Sequence, residues 1–272
     1  MANHHLALSR LDRRWIFLGV AVAVTLPMFL GISLPTPAGK PVLDVYRFLD
    51  RLPRGSRVWF GYDAYASTTA EVGPAATALS RHLFSRGCRL VCTSTIPDGA
   101  MLARKYVGRV AQEMGQVYGR DYCILGYKSG DKIAVNQMSM DLRAAFPTDL
   151  AGTPVAQLEV MQGVRNARDF ACVVTCSDNR TFDYYAIIVH SQHGTPIVGA
   201  ATAVMVAELY PYYNSGQIKG MLGGLRGAAE YEGLVNHPGN ATAGMLAQSV
   251  VHFLICGMIL VSNAFYLLRR RR

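Results

Sequence analysis

No stretch of this 272-residue sequence carries a phosphate-cradling signature. A dinucleotide-binding turn needs G-x-G-x-x-G directly after the first strand, so that the backbone can approach a pyrophosphate. Here that turn reads GYDAYASTTAE from Gly61 to Glu71, with one glycine and a bulky tyrosine. The G-x-x-x-x-G-K-[ST] loop and the G-x-S-x-G nucleophile elbow are absent as well, and with them the signatures of P-loop and α/β-hydrolase chemistry. His190 and His193, in HSQH, stand three apart. Zinc would need a third ligand and usually a neighbouring acid, so they read as two histidines near the negative end of a helix dipole. No metal and no cofactor is expected.

Charge is missing from two long stretches. Trp15 to Leu34 and Met245 to Leu268 contain no Asp, Glu, Lys or Arg, and each is long enough to cross a hydrocarbon core of ~30 Å as a helix. The sequence therefore predicts a cytoplasmic tail over 1–14, a transmembrane helix over 15–35, a domain over 36–244, a second transmembrane helix over 245–268 and a basic tail over 269–272. The net charge of +9 belongs mostly to the ends: seven basic residues and one acidic residue flank the two spans, leaving +3 for everything between them. Nucleic acid is accordingly not an expected partner. Arginines at both outer ends favour cytoplasmic termini, and the main domain then faces outward in a cell (inner) membrane, extracytoplasmic or periplasmic. Lys40, Arg47, Arg51, Arg54 and Arg57 follow the first span and weaken that inference at its own end. A cleaved signal peptide is the alternative for the first span.

Five cysteines, Cys88, Cys92, Cys123, Cys172 and Cys176, lie between the spans and one, Cys256, within the second. Residues four apart in a strand are about 13 Å apart, too far for Cys88–Cys92 or Cys172–Cys176 to bridge. They read as small buried hydrophobes.

Between the anchors, apolar runs alternate with helical segments. A short amphipathic helix is expected over 41–52. Strands are expected at 57–63, 89–95, 121–127, 169–176 and 195–202, and helices at 71–85, 99–114, 137–145 and 181–191, with Thr68 or Thr69 capping the first of these four. Continuous apolar strands with helical crossovers imply an α/β fold: a Rossmann-like, doubly wound, mainly parallel sheet, flanked here by N- and C-terminal transmembrane helices. There is no internal repeat and no low-complexity linker.

In such folds ligands bind beyond the carboxyl ends of the strands. Asp63, Ser94, Lys128, Ser177 and Asp178 fall there and are the candidate ligand-binding residues; no catalytic residue can be named. The competing reading of Ser177-Asp178-Asn179 is a helix cap or an Asx turn. SGQIKGMLGGLRGAAEYEG, from Ser215 to Gly233, holds six glycines. As a helix it would align Gly216, Gly220, Gly224 and Gly227 in one stripe suited to close packing or an interface. In the second span His252, Cys256, Ile259 and Asn263 share a face, which points to helix association with Thr25, Gly31 or a second copy.

GYKSGD, FPTDLAGTP, MQGVRN and above all SGQIKGMLGGLRGAAEYE resemble a family of uncharacterised prokaryotic membrane-anchored proteins with a Rossmann-like domain between two transmembrane helices. The resemblance covers most of the chain from about Pro41 and implies no known activity. The expected partners are the lipid bilayer and either itself or other membrane-protein subunits, as a binding or assembly component of a membrane complex. The alternative is an enzyme or sensor for a small polar or anionic ligand at the strand ends.

Overall fold

The computed structural model describes residues 13–30 and 37–270. The chain divides into two compact units, Pro35–Ala241 and the terminal segments Met1–Leu34 with Thr242–Arg272. In the terminal unit, helix α1 covers Arg13–Leu30. The rest of the first expected span, Gly31 included, lies outside the described residues, as do most of the N-terminal tail and the last two arginines. Among the described residues one helix is long and apolar enough to cross a membrane, over Asn240–Leu268.

The unit Pro35–Ala241 is an α/β domain. Six strands form one all-parallel sheet: β1 (Arg57–Asp63), β2 (Arg89–Ser94), β3 (Tyr122–Tyr127), β4 (Cys172–Ser177), β5 (Ile197–Ala201) and β6 (Ile218–Gly223). Their order is β3-β2-β1-β4-β5-β6. The chain winds outward from β1 in one direction, then restarts at β4 and winds in the other, which leaves a switch point between β1 and β4. The strands read as near-continuous apolar runs because both faces are covered. Val58, Trp59, Phe60 and Tyr62 of β1, which alternate between the faces, are all fully buried.

One face carries α2 (Lys40–Asp50), α3 (Thr69–Ser85), α4 (residues 99–113) and α9 (Gly224–Leu234). The other carries α5 (Asp131–Met140), α6 (Leu142–Ala145), α7 (residues 181–193) and α8 (Ala203–Asn214). Helix α10 (Asn240–Arg270) follows the domain. The expected helix over 137–145 is therefore two, broken at Asp141, whose extended backbone and side-chain bond to Ala144 N start α6. Among the described residues two helices contain π-helical turns, at Arg104–Gly108 in α4 and Tyr185–His190 in α7. Such turns are frequent at functional sites. They set Tyr106 in a stack on Tyr62 (5.8 Å between rings) and Tyr185 edge-on to Trp59 (5.3 Å), one on each face of β1.

The glycine stripe is not a helix stripe. Gly216 lies in the turn after α8 with φ +79°, Gly220 is inside β6, Gly224 starts α9 with φ +55°, and Gly227 is one turn into it. Their spacing looked helical, but glycine suits turns and close contacts as readily as helix faces. β6 itself went unexpected because five of its six residues lack a β-branched or aromatic side chain to mark it. Close packing does occur at Gly220, where a Cβ would stand 2.6 Å from Val45 N of α2. That contact lies within the domain.

In the terminal unit, His252 Nδ1 lies 2.7 Å from Gln248 O and Thr25 Oγ1 donates to Ala21 O, each within its own helix. Asn263 and Cys256 are exposed. The five cysteines of the α/β domain are buried and free.

Candidate functional site

The switch point places the last residues of β1 and β4 side by side, Asp63 paired with Ser177. Asp63 is fully buried. Its Oδ1 accepts Thr95 N at 2.7 Å and Thr95 Oγ1 at 2.9 Å, and its Oδ2 accepts Thr175 Oγ1 at 3.4 Å. Gly61 makes room beneath it, since a Cβ there would come within 2.8 Å of both Asp63 Oδ2 and Tyr185 OH. Burial pushes the Asp63 carboxyl up to about 6, against the pull of the Thr95 and Thr175 donors and of the nearby Tyr185 hydroxyl.

Counting protons gives the same direction independently. Asn179 Nδ2 donates to Asp63 O and Asp178 Oδ1, which fixes its Oδ1 as the acceptor for Thr181 N (2.8 Å) and Thr181 Oγ1 (2.6 Å). Thr95 Oγ1 also lies 3.1 Å from Thr181 Oγ1. Each hydroxyl has one proton. With Asp63 ionised, Thr95 donates to Asp63 and Thr181 to Asn179, and the threonine pair meets lone pair to lone pair. A proton on Asp63 resolves this: the carboxyl donates to Thr95, Thr95 to Thr181 and Thr181 to Asn179.

Around this chain the loops after β1, β2 and β4 are tied together. Asp178 Oδ2 accepts Tyr65 N at 2.8 Å and Thr68 Oγ1 at 2.6 Å, so Thr68 spends its hydroxyl there and makes no side-chain cap on α3. Ser177 Oγ accepts Asn179 N, and Asn179 Oδ1 accepts Thr181 N, giving consecutive ST and Asx turns. Ser94 Oγ donates to Tyr62 O at 2.6 Å and accepts Ile96 N at 2.9 Å. Four of the five candidate residues, Asp63, Ser94, Ser177 and Asp178, thus meet at one edge, bonded to the neighbouring loops. Lys128 joins only through its backbone, donating its N–H to Ser94 O, and its ammonium has no partner among the described residues. His190 Nδ1 lies 3.3 Å from Thr195 O, and His193 Nε2 lies 3.2 Å from Ser139 Oγ. Among the described residues no group of three metal-binding side chains gathers.

Three buried oxygens at this edge have no hydrogen-bond partner among the described residues: Tyr62 OH, Tyr185 OH and Asp183 Oδ1. Tyr185 lies against Asp63 and favours its ionised form, but outside hydrogen-bond geometry. Burial raises the phenols of Tyr62 and Tyr185 and the carboxyl of Asp183. Sequence reasoning placed Asp63, Ser94, Ser177 and Asp178 here from strand ends alone but missed Thr175, Thr181, Asp183 and Tyr185. A threonine inside the apolar run of β4 was the one available signal for Thr175. Tyr185 needed the π-helical turn.

The chain matches no protein-family model and no curated protein.

Proposed function

We propose that this chain is a membrane-anchored α/β module that serves as a binding or assembly component of a membrane protein complex. Helix α10 and the apolar N-terminal stretch are its two anchors, both termini are cytoplasmic, and the Rossmann-like domain faces outward from a cell (inner) membrane. The resemblance to uncharacterised membrane-anchored proteins agrees with this reading. The observation that carries it is the state of the strand-end side chains. Asp63, Ser94, Ser177 and Asp178 are consumed in bonds that hold three loops together, whereas an enzyme turns such groups toward a concave pocket. Mild detergent extraction and mass analysis of the intact complex tests it. Several copies or further subunits are expected, and a monomer at every detergent concentration would remove the reading. A cysteine introduced at Asn240 should react with an impermeant thiol reagent on intact cells; protection until lysis would invert the topology.

A second reading, a sensor or enzyme for a small polar ligand, is favoured by one cluster. Asp63 has a raised pKa and stands beside a tyrosine hydroxyl that has no partner, at the switch point where this class of fold binds ligands. Native mass analysis that recovers a small molecule lost on Tyr185→Phe would favour it.

A further inference from the structure

Helix α2 buries Val42, Val45 and Leu49 against the sheet, and Gly220 of β6 lets its backbone come close. That stripe turns Arg47 and Arg51, one helical turn apart, to the outside. Like charges at this spacing oppose each other by ~0.2–0.5 kcal/mol. Neither guanidinium has a hydrogen bond or ion pair among the described residues. The nearby acid, Asp44, is already held by Lys40 Nζ at 2.8 Å and Tyr213 OH at 2.5 Å.

β6 adds a third cation by an irregular route. Ile197 pairs with Ile218 but Val198 pairs with Gly220, so Lys219 is an extra residue in the ladder. A bulge of this kind re-aims a side chain, and here it delivers the exposed Lys219 to the same place, where its ammonium gives one of its three donors to Gly216 O at 2.9 Å and keeps two for a ligand. Arg47, Arg51, Lys219, Asp44, Phe48 and Leu52 line an open groove of about 580 Å³. A second groove elsewhere shows what a structural use of arginine looks like. It is lined by Arg143 and Arg165, but Arg143 donates to Met161 O and Arg165 pairs with Asp141 at 3.3 Å.

We propose that the groove between α2 and β6 binds a phosphate-bearing anion through Arg47, Arg51 and Lys219. Two guanidinium forks and an ammonium match the charge and the several acceptor oxygens of a phosphate better than a single carboxylate. The Phe48 ring supplies an apolar wall for the organic part of the ligand. The phosphate comes from a soluble metabolite or from a phospholipid headgroup. The second source draws support from the chain itself, because α2 begins within ten residues of the apolar N-terminal stretch, which the proposed topology anchors in a bilayer. The proposal does not depend on the assembly reading.

The test uses the full chain in mild detergent with two probes: inorganic pyrophosphate by titration calorimetry, and phosphatidylglycerol against phosphatidylcholine by native mass spectrometry. At least one anionic probe should bind, more weakly as salt is raised. Arg51→Gln should lower the affinity about tenfold, the scale of one charge-assisted hydrogen bond, and R47Q/R51Q/K219Q should abolish it. Arg165→Gln, in the other groove, should change nothing. Pyrophosphate binding alone identifies a soluble phosphate, and phosphatidylglycerol retention alone identifies a headgroup. Binding of neither probe overturns the proposal, as does wild-type binding by both Arg51→Gln and the triple variant.

Discussion

The switch point and the α2–β6 groove are both polar clusters of one domain, built in opposite ways. At the switch point, side chains with 0 % exposure such as Asp63, Ser94 and Ser177 are each held in hydrogen bonds to neighbouring strands and loops. In the groove, exposed cations face a cavity: among the described residues neither Arg47 nor Arg51 has a hydrogen bond or an ion pair, and Arg47 feels only the charge of nearby Asp44. The contrast follows from desolvation. A buried polar group must be paired within the fold or it costs about 1–3 kcal/mol, whereas an exposed arginine keeps its water and can wait for a partner. Paired polar groups serve the fold, and unpaired exposed ones are free to serve a ligand.

The sharpest way to break that division is at Asn179, which ties the three loops together. Asn179→Ala removes two donors and an acceptor from Asp63 O, Asp178 and Thr181. Thr181 N and Asp63 O would then lack their side-chain partner, and the loss should be on the order of 4 kcal/mol. Thermal unfolding of the detergent-solubilised chain measures it, at roughly 2–4 °C per kcal/mol for a domain of this size. A change below about 1 kcal/mol would mean that the loops hold without this knot.

Asp63 provides a pH signature. Its carboxyl holds a proton up to about 6 in the folded protein, against 3.8 ordinarily. Between those values the native state keeps a proton that the unfolded state has lost, so stability falls as pH rises through that window. The full fall is on the order of 3 kcal/mol, complete above about pH 6. Asp63→Asn carries no such proton. Relative to wild type it should gain up to that amount between about pH 4 and pH 7 in denaturant unfolding. Parallel pH profiles for the two proteins would show that Asp63 ionises normally.

The sequence made the two clusters legible to different degrees. Apolar runs and crossovers gave the five strands β1 to β5, and the strand-end rule put Asp63, Ser94, Ser177 and Asp178 at one edge. What it could not give was their state, because whether Asp178 faces solvent or holds Tyr65 N depends on loop geometry far apart in sequence. Glycine hid β6, since Gly216, Gly220 and Gly224 meet a turn, a close contact and a helix start that together imitate a helical period. The groove was half legible. Arg47 and Arg51 were visible as basic residues after the first span, but Lys219 reaches them only because a bulge shifts the register of β6.

The unpartnered phenols refine the comparison. Among the described residues Tyr62 OH and Tyr185 OH are buried without a hydrogen bond, an exception to the rule that the switch point satisfies its own groups. If nothing binds there, Tyr62→Phe removes an unmet polar group and should be neutral or stabilising by about 1 kcal/mol. Tyr185→Phe should do the same and also raise the Asp63 pKa further, since Tyr185 favours the ionised carboxylate. A loss of more than about 1 kcal/mol in either variant would reveal a partner in solution, a water or a ligand, and move the switch point toward the sensor reading.

The smallest effect on stability should come from the groove. Arg47→Gln and Arg51→Gln remove exposed side chains that bond to nothing among the described residues, so each should change unfolding by no more than about 0.5 kcal/mol. For Arg51→Gln the sign should be stabilising, because the substitution relieves the repulsion between like charges one turn apart; in Arg47→Gln the lost attraction to Asp44 offsets that gain. In Arg165→Gln the same chemistry removes a charge paired with Asp141, and the sign should reverse, within the ~0–1 kcal/mol of a surface ion pair. Opposite signs in the two grooves, measured by unfolding in parallel at low salt, would separate arginines that support the fold from arginines that wait for an anion. If Arg47→Gln and Arg51→Gln instead destabilise by more than about 1 kcal/mol, these side chains are holding the domain together, and the division between the two clusters does not stand.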